Sequence, residues 1–153
     1  MRIRTFTTEQ WLPRPVEEVF AFFSDAGNLD VLTPPWLRFR ILTPLPVEMT
    51  RGTLLEYRIS WRWLPLRWKT EIAAWEPPVR FVDRMLSGPY RQWVHEHGFE
   101  AKDGGTLMTD RVDYAVPGWL LEPVVNGWIV GPDVRRIFGY RRAKMQELFG
   151  VPK

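Results

Sequence analysis

The sequence predicts an α+β fold in which a curved, seven-stranded antiparallel sheet packs its apolar face against a long C-terminal helix. Strand-like segments separated by Gly or Pro fill most of residues 37–115, and their short connections favour antiparallel neighbours. Helical patterns precede and follow them, so the helices are segregated from the strands. The chain has 153 residues, which suits one domain, and we expect that domain to span residues 1–153.

Residues 2–12 are predicted to form the first strand, and two short helices follow it. The stretch PRPVEEVFAFFSDAGNLDVLTPP has proline at its entry, which suits a helix N-terminus, and a Pro-Pro pair at its end, which stops a helix. Its apolar residues recur at helical spacing at Val16, Val19, Phe20 and Phe23. We therefore predict one helix here and a shorter one near residues 26–32.

Six further strands are predicted after Pro35, because β-rich or alternating runs recur between turn residues. They span residues 37–42, 53–61, 66–75, 80–86, 91–101 and 105–115.

The strand pattern ends at Pro117. The stretch PGWLLEPVVNGWIVG is expected to form a short helix or a lid. The stretch GPDVRRIFGYRRAKMQELFG has Pro132 near its start and Gly150 at its end, which are typical of a helix N-terminus and a C-cap. This stretch is the predicted long helix.

The alternation within each strand predicts which side chains face the interior, because successive side chains point to opposite faces of a sheet. In residues 54–61, for example, apolar side chains alternate with charged and polar ones. The predicted inward-facing residues are Leu55, Tyr57, Ile59, Trp61, Trp68, Thr70, Ile72, Ala74, Phe81, Asp83, Met85, Trp93, His95, His97, Phe99, Met108, Asp110, Val112 and Tyr114. Both histidines of the chain and two acids therefore face inward.

Two short loops predict how three of these strands pair. Asp103-Gly104 favours a two-residue type I′ turn, and counting back from that turn places His97 opposite Asp110. The four-residue loop EPPV likewise sets Ile72 beside Asp83, which turns Asp83 inward.

Arg141 is an anomaly in the predicted long helix. At 100° per residue it falls near the middle of an apolar stripe that includes Phe138 and Met145, whereas Arg142 does not. A buried guanidinium without a partner is costly, so we expect an inward acid or a ligand anion to meet it. Asp110 and Asp83 are the candidate acids.

Several strings resemble one protein superfamily. WLPRPVEEVFAFFSDAGNLDVLTPPWLRF, RFVDRMLSGPYRQWVHEHGFE, GGTLMTDRVDYAVPG and IFGYRR are similar to the cyclase/dehydrase-related branch of the START-like, or SRPBCC, superfamily. The resemblance covers almost the whole chain and implies a helix-grip fold, in which the sheet wraps around the C-terminal helix. Such folds host carriers, receptors and enzymes alike, so the fold alone does not imply a function.

Three functions remain open from the sequence. The first is binding or carriage of a small hydrophobic or aromatic molecule between the sheet and the last helix. The second is a polyketide cyclase/dehydratase-like enzyme, in which His95, His97 and Asp110 supply acid–base chemistry. The third is a protein-interaction module with a filled core. The expected ligand-binding residues are Tyr57, Trp61, Trp68, Asp83, Trp93, His95, His97, Phe99, Asp110, Tyr114 and Arg141.

The same polar residues also have a purely structural interpretation, in which His97, Asp110 and Arg141 form a buried network that fixes the helix on the sheet. A metal site is disfavoured, because the spacing of His-x-His is unspecific and no further signature accompanies it. The expected cofactor set is therefore empty.

Composition limits the possible partners. The chain lacks cysteine, which excludes disulfides and thiolate metal sites. Its net charge of +3 is mild, and its basic residues are scattered rather than clustered in one stripe, so nucleic acid is not an expected partner. The most apolar late stretch is interrupted by Glu122, Pro123 and Asn126, so we expect no stable membrane insertion and a cytoplasmic location. Transient membrane contact and the oligomeric state are left open.

The stretch WRWLPLRW, residues 61–68, predicts a Trp-rich hairpin tip. It suits a cavity gate or a membrane-touching edge, but we favour bulky side chains folded back on the rim of the sheet.

Overall fold

The computed structural model describes residues 1–152, in which seven antiparallel strands form one sheet. In chain order the strands are β1 (Arg4–Leu12), β2 (Arg40–Ile41), β3 (Leu54–Trp61), β4 (Leu64–Glu76), β5 (Arg80–Ser87), β6 (Gln92–Lys102) and β7 (Gly105–Ala115). Their spatial order is β1-β7-β6-β5-β4-β3-β2. The helices are α1 (Val16–Phe23), α2 (Leu29–Leu32), α3 (Glu122–Val125) and α4 (Gly131–Phe149). This architecture confirms the predicted fold class.

The core lies between the sheet and α4. One buried cluster joins α1 and strands β5 to β7 to the C-terminal half of α4, where Met145 and Phe149 contribute. A second cluster joins the end of β7 to the N-terminal half of α4 through Val134 and Phe138. The apolar face of α4 is therefore buried along most of its length. No helix in residues 1–152 is both long and apolar enough to cross a membrane.

The predicted register of β6 and β7 and the predicted pair of Ile72 with Asp83 are confirmed. Asp103 and Gly104 both have positive φ, 50° and 77°, as a type I′ turn requires, and Lys102 pairs with Gly105. His97 consequently lies opposite Asp110, and Ile72 lies opposite Asp83.

Two expectations need correction, one about the strand at residues 37–42 and one about the hairpin tip at residues 61–68. The strand predicted at residues 37–42 is reduced to β2, because Pro35–Leu37 form a 3₁₀ turn and Arg38 has a left-handed backbone, with φ of 47°. The hairpin tip also does not fold back completely. Only two residues join β3 to β4, so Trp63 has no neighbouring strand to pack on and is 85% exposed.

The segment 117–130 is helical and runs directly into α4. It comprises a 3₁₀ turn (Trp119–Leu121), α3 and a π-helical turn (Asn126–Val130). Two buried polar residues tie it to the sheet: Glu122 accepts a 2.6 Å hydrogen bond from Arg4, and Asn126 accepts one of 2.9 Å from the hydroxyl of Tyr114. The segment is therefore held as a cover over one end of the sheet.

Candidate functional site

A cavity of about 580 Å³ lies between the inner face of the sheet, α4 and the 117–130 segment. Its walls are largely aromatic. The rings of Tyr57 and Trp68 stack at 5.9 Å, and Trp93 meets Trp68 edge-on at 5.4 Å. Trp61 closes another part of the wall, because its indole N–H donates a 2.9 Å hydrogen bond to Asp133 of α4. Both sheet and helix therefore shape the cavity.

A cluster of polar side chains contributes to the cavity wall. Asp83 comes from β5, His95 and His97 from β6, and Arg141 from α4, and all four side chains line the cavity. The two histidines share a face because they lie two residues apart in a strand. We call these four residues together with Asp110 of β7 the polar cluster.

The hydrogen bonds of the polar cluster run diagonally across the strands. In the backbone register His97 lies opposite Asp110, and His95 lies opposite Asp83. The short side-chain contacts exchange these partners: His95 Nε2 lies 2.7 Å from Asp110 Oδ1, and His97 Nε2 lies 2.7 Å from Asp83 Oδ2. His97 Nδ1 approaches Asp110 Oδ1 at 3.4 Å, so its short hydrogen bond is to Asp83 rather than to the expected acid.

Ring packing holds the two imidazoles in place. The rings of His95 and His97 stack with centroids 3.7 Å apart, and Phe81 stacks on the other side of His97 at 4.0 Å. Phe138 of α4 packs edge-on against His95 at 5.4 Å. Because every ring is confined on at least one face, the donor and acceptor directions of the histidines are fixed.

Arg141 lies on the sheet-facing side of α4, as its helical position predicts. Its Nη2 lies 3.6 Å from Asp110 Oδ1 and 3.3 Å from His97 Nδ1. The guanidinium also packs over the rings of Phe23 and Phe138, at 5.2 and 5.8 Å from their centroids. Its side chain is only 12% exposed, so Asp110 is the acid that compensates this charge.

Burial and pairing shift the pKa values of the cluster in different directions. Burial alone would raise the pKa of Asp110, but Arg141 and the two histidines outweigh it and hold that pKa well below its usual range. The pKa of Asp83 is also lowered, because the hydrogen bond from His97 and the nearby charges outweigh its burial. Both carboxyl groups are therefore ionised at neutral pH.

The two imidazoles differ in pKa although they are neighbours. Burial, together with the charge of His97, lowers the pKa of His95 to about 4. Burial acts in the same direction on His97, but hydrogen bonds to Asp110 and Asp83 outweigh it and raise the pKa of His97. His95 is consequently a neutral imidazole at pH 7.

The structure places most of the predicted ligand-binding residues at the cavity, but not all of them. Those that line it are Tyr57, Trp61, Trp68, Asp83, Trp93, His95, His97 and Arg141. The remaining three do not. Phe99 packs into the core cluster with Phe20 and Phe23, Tyr114 bonds Asn126 under the 117–130 segment, and Asp110 lies behind the imidazoles. The inward face of each strand extends beyond the cavity, so inward direction alone does not distinguish residues that line the cavity from residues that pack elsewhere in the core.

Among the helical residues of the cavity wall, the expected ligand-binding set included only Arg141. Residues of the α1–α2 region, of the 117–130 segment and of α4 line the cavity; they include Leu29, Trp36, Leu37, Val125, Ile129 and Ile137. The apolar spacing of the 117–130 segment was a usable signal, because a lid must present an apolar inner face. The positions before β2 carried no such periodicity.

The fold and this cavity define an α+β protein of the helix-grip class. Residues 12–137 match the model of a family described as polyketide cyclase / dehydrase and lipid transport. Because the match covers most of the chain, the protein belongs to that family, within the START-like superfamily.

Solved structures share the fold at low sequence identity. Protein Ms6760 from Mycobacterium smegmatis has a TM-score of 0.67 and 16% identity, covering 97% of this chain and 96% of its own. TTHA0849 from Thermus thermophilus has a TM-score of 0.67 and 16% identity, covering 95% and 99%. Ginseng major latex-like protein 151 from Panax ginseng has a TM-score of 0.70 and 11% identity, covering 96% and 97%. No curated protein matched the chain in sequence.

Proposed function

We propose that the protein binds a small hydrophobic or aromatic molecule in the cavity between the sheet and α4. The observation that carries this proposal is the aromatic-walled cavity of about 580 Å³, which falls within the size range of small-molecule sites. An interior open to this extent argues against a module whose core is filled. The description of the family, which includes lipid transport, supports an apolar ligand.

The arrangement of the wall also supports a particular kind of ligand. Trp68 and Trp93 offer ring faces and edges to an apolar or aromatic body, whereas Asp83, His97 and Arg141 offer hydrogen-bonding groups. A few polar groups in a mainly apolar cavity orient a ligand rather than supply most of its affinity. The proposed ligand therefore has an apolar body with one polar substituent.

A cavity-filling substitution with a matched control tests this proposal. Ile59 lines the cavity, and Arg58, its neighbour in β3, is exposed on the other side of the sheet. We expect Ile59→Trp to weaken binding of the dye 8-anilinonaphthalene-1-sulfonate about tenfold, or about 1.4 kcal/mol, because the new ring takes up cavity volume. Arg58→Trp should bind the dye as wild type does.

The same titrations can also refute the proposal. If both variants keep their melting temperature and Ile59→Trp still binds the dye like wild type, the dye does not occupy the cavity and the proposal fails. Mass spectrometry of gently denatured protein is an independent test, because it identifies any molecule that copurifies. An apolar molecule present in wild type and Arg58→Trp but depleted in Ile59→Trp supports the proposal.

A second candidate function is acid–base catalysis on the bound molecule. It is favoured by the position of His95 and His97 at the cavity, with Asp110 behind His95 to orient its ring. A cyclase or dehydratase step would then alter the ligand. Comparing the molecules that copurify with wild type and with His97→Gln tests this function. A dehydration releases one water, so a substrate heavier than the product by one water should accumulate in the variant, and identical molecules in both would count against catalysis.

A further inference from the structure

Three ligand-type atoms converge at the cavity wall. Asp83, His95 and His97 each offer one carboxylate oxygen or ring nitrogen, and these three atoms all lie within 4.8 Å of one another. Asp83 Oδ2 is 2.7 Å from His97 Nε2 and 3.8 Å from His95 Nδ1. Ligand atoms held about 2.0–2.2 Å from one metal ion lie roughly 3–4 Å apart, so small side-chain shifts suffice to bring them around an ion.

The opposite nitrogens of both rings point to a single outer carboxylate. His95 Nε2 lies 2.7 Å and His97 Nδ1 lies 3.4 Å from the same atom, Asp110 Oδ1. Metal-binding imidazoles commonly donate their other N–H to a carboxylate, which fixes the tautomer and turns the remaining lone pair toward the metal. Asp110 is placed to do this for both rings, which turns the lone pairs of His95 Nδ1 and His97 Nε2 toward Asp83, where an ion would replace the proton between His97 and Asp83.

Charge and access are also suitable for a divalent cation. The carboxylates of Asp83 and Asp110 contribute two negative charges and Arg141 contributes one positive charge, so with both imidazoles neutral the polar cluster has a net negative charge, which attracts a cation. A proton on His97 Nδ1 ends the hydrogen bond from Arg141 Nη2 to that nitrogen, whereas the contact of Arg141 with Asp110 remains. Asp83, His95 and His97 line the cavity whereas Asp110 does not, so further coordination positions would open toward the cavity.

We propose that Asp83, His95 and His97 form a binding site for a first-row divalent metal ion such as Zn²⁺, with Asp110 as the shared outer carboxylate. Two imidazoles and one carboxylate suit Zn²⁺ and its neighbours better than Ca²⁺ or Mg²⁺, which prefer oxygen ligands. The His-x-His spacing was too unspecific to predict this site from sequence. The structure adds Asp83 from the next strand and the common outer acid.

Zinc binding to tag-free, chelator-treated protein tests the site without any organic ligand, so its outcome is independent of the proposed function. The chain has two histidines and no cysteine, so every imidazole signal in a ¹⁵N NMR spectrum comes from this site. We expect calorimetry to give one bound Zn²⁺ per chain. The ¹⁵N spectrum should show metal on His95 Nδ1 and His97 Nε2, with protons on the other two nitrogens.

Three variants separate the inner and outer roles. Asp110→Asn should weaken Zn²⁺ binding about 10- to 100-fold, the range typical of outer-shell changes, and Asp83→Asn should weaken it at least as much. Glu96→Gln is the matched control, because Glu96 lies between the two histidines in β6 but its side chain is 49% exposed. Its affinity for Zn²⁺ should equal that of wild type. Circular dichroism confirms that each variant is folded.

The proposal is overturned if wild type shows no change in the imidazole ¹⁵N shifts at saturating Zn²⁺. It is also overturned if folded Asp83→Asn binds Zn²⁺ as tightly as Glu96→Gln does, because the ion would then lie elsewhere. A normal affinity in Asp110→Asn alone would remove the outer role of Asp110.

Discussion

Replacing Arg141 with methionine tests the buried ion pair between α4 and the sheet. Methionine keeps much of the side-chain volume and its contacts with Phe23 and Phe138, but it removes the charge that faces Asp110. The side chains of Arg141 and Asp110 are only 12% and 7% exposed, so solvent screens their interaction weakly. We expect the variant to be folded and clearly less stable than wild type.

The expected magnitude follows from the geometry of this contact. At the observed Nη2–Oδ1 distance of 3.6 Å, two unit charges attract by about 4.6 kcal/mol at an effective dielectric constant of about 20. Removal of Arg141 also relieves the cost of burying its guanidinium, and Asp110 retains its hydrogen bond with His95. We therefore expect Arg141→Met to lower the free energy of unfolding by about 2–3 kcal/mol, somewhat less than the loss typical of a broken buried pair.

A double-mutant cycle with Asp110→Asn identifies the source of this loss. Asparagine removes the charge that Arg141→Met leaves uncompensated, while its amide oxygen still accepts a hydrogen bond from His95. The double variant should therefore recover about 1–2 kcal/mol relative to the sum of the two single losses. Urea unfolding followed by tryptophan fluorescence measures all four proteins, because the chain contains nine tryptophans.

Two results would refute this reasoning. A loss below about 0.5 kcal/mol for Arg141→Met would place that side chain among ordinary surface positions. Strict additivity of the two substitutions would show that Arg141 and Asp110 do not interact, and the loss would then come from packing alone.

Three further predictions concern the turn, the cavity wall and the histidines. Gly104→Ala should lower the unfolding free energy by about 1 kcal/mol, because φ at this position is 77°. Gly127→Ala, in a helical turn with open space around it, should be neutral or stabilising, and equal effects of the two substitutions would contradict the type I′ turn. Trp61→Phe should lower stability by about 1 kcal/mol through loss of the indole hydrogen bond to Asp133, as thermal unfolding would show, and an unchanged melting temperature would argue that water replaces the bond. The pKa of His95 falls from 6.5 to about 4 on folding, so the unfolded chain binds the proton first as the pH is lowered. The contribution of neutral His95 to stability should therefore be present above pH 6.5 and lost as the pH falls toward 4. If the unfolding free energy of His95→Gln declines as steeply as that of wild type over this range, another group is responsible.

Local sequence patterns predicted much of the fold because turns and side-chain alternation depend on interactions among a few neighbouring residues. Asp103-Gly104 specifies a turn with positive φ, and this turn alone sets which residues of β6 and β7 lie opposite each other. The loop between β4 and β5 does not do this alone: Glu76 pairs with Arg80, and only the register shift between Ile72 and Ala74 brings Ile72 opposite Asp83. Where the backbone departs from such patterns, as at Arg38, the predicted strand was too long.

The sequence by itself determined the fold class, the inward direction of His95, His97 and Asp110, and the position of Arg141 on the buried face of the last helix. These properties depend on periodicity and turn chemistry, which are local. Only the tertiary structure decided that each imidazole bonds the acid diagonal to it, that Asp110 lies behind the histidines and that Trp63 is exposed. It also decided that a cavity remains between sheet and helix. Side-chain rotation and the distance between packed elements set these features, and both arise from contacts between residues far apart in the chain.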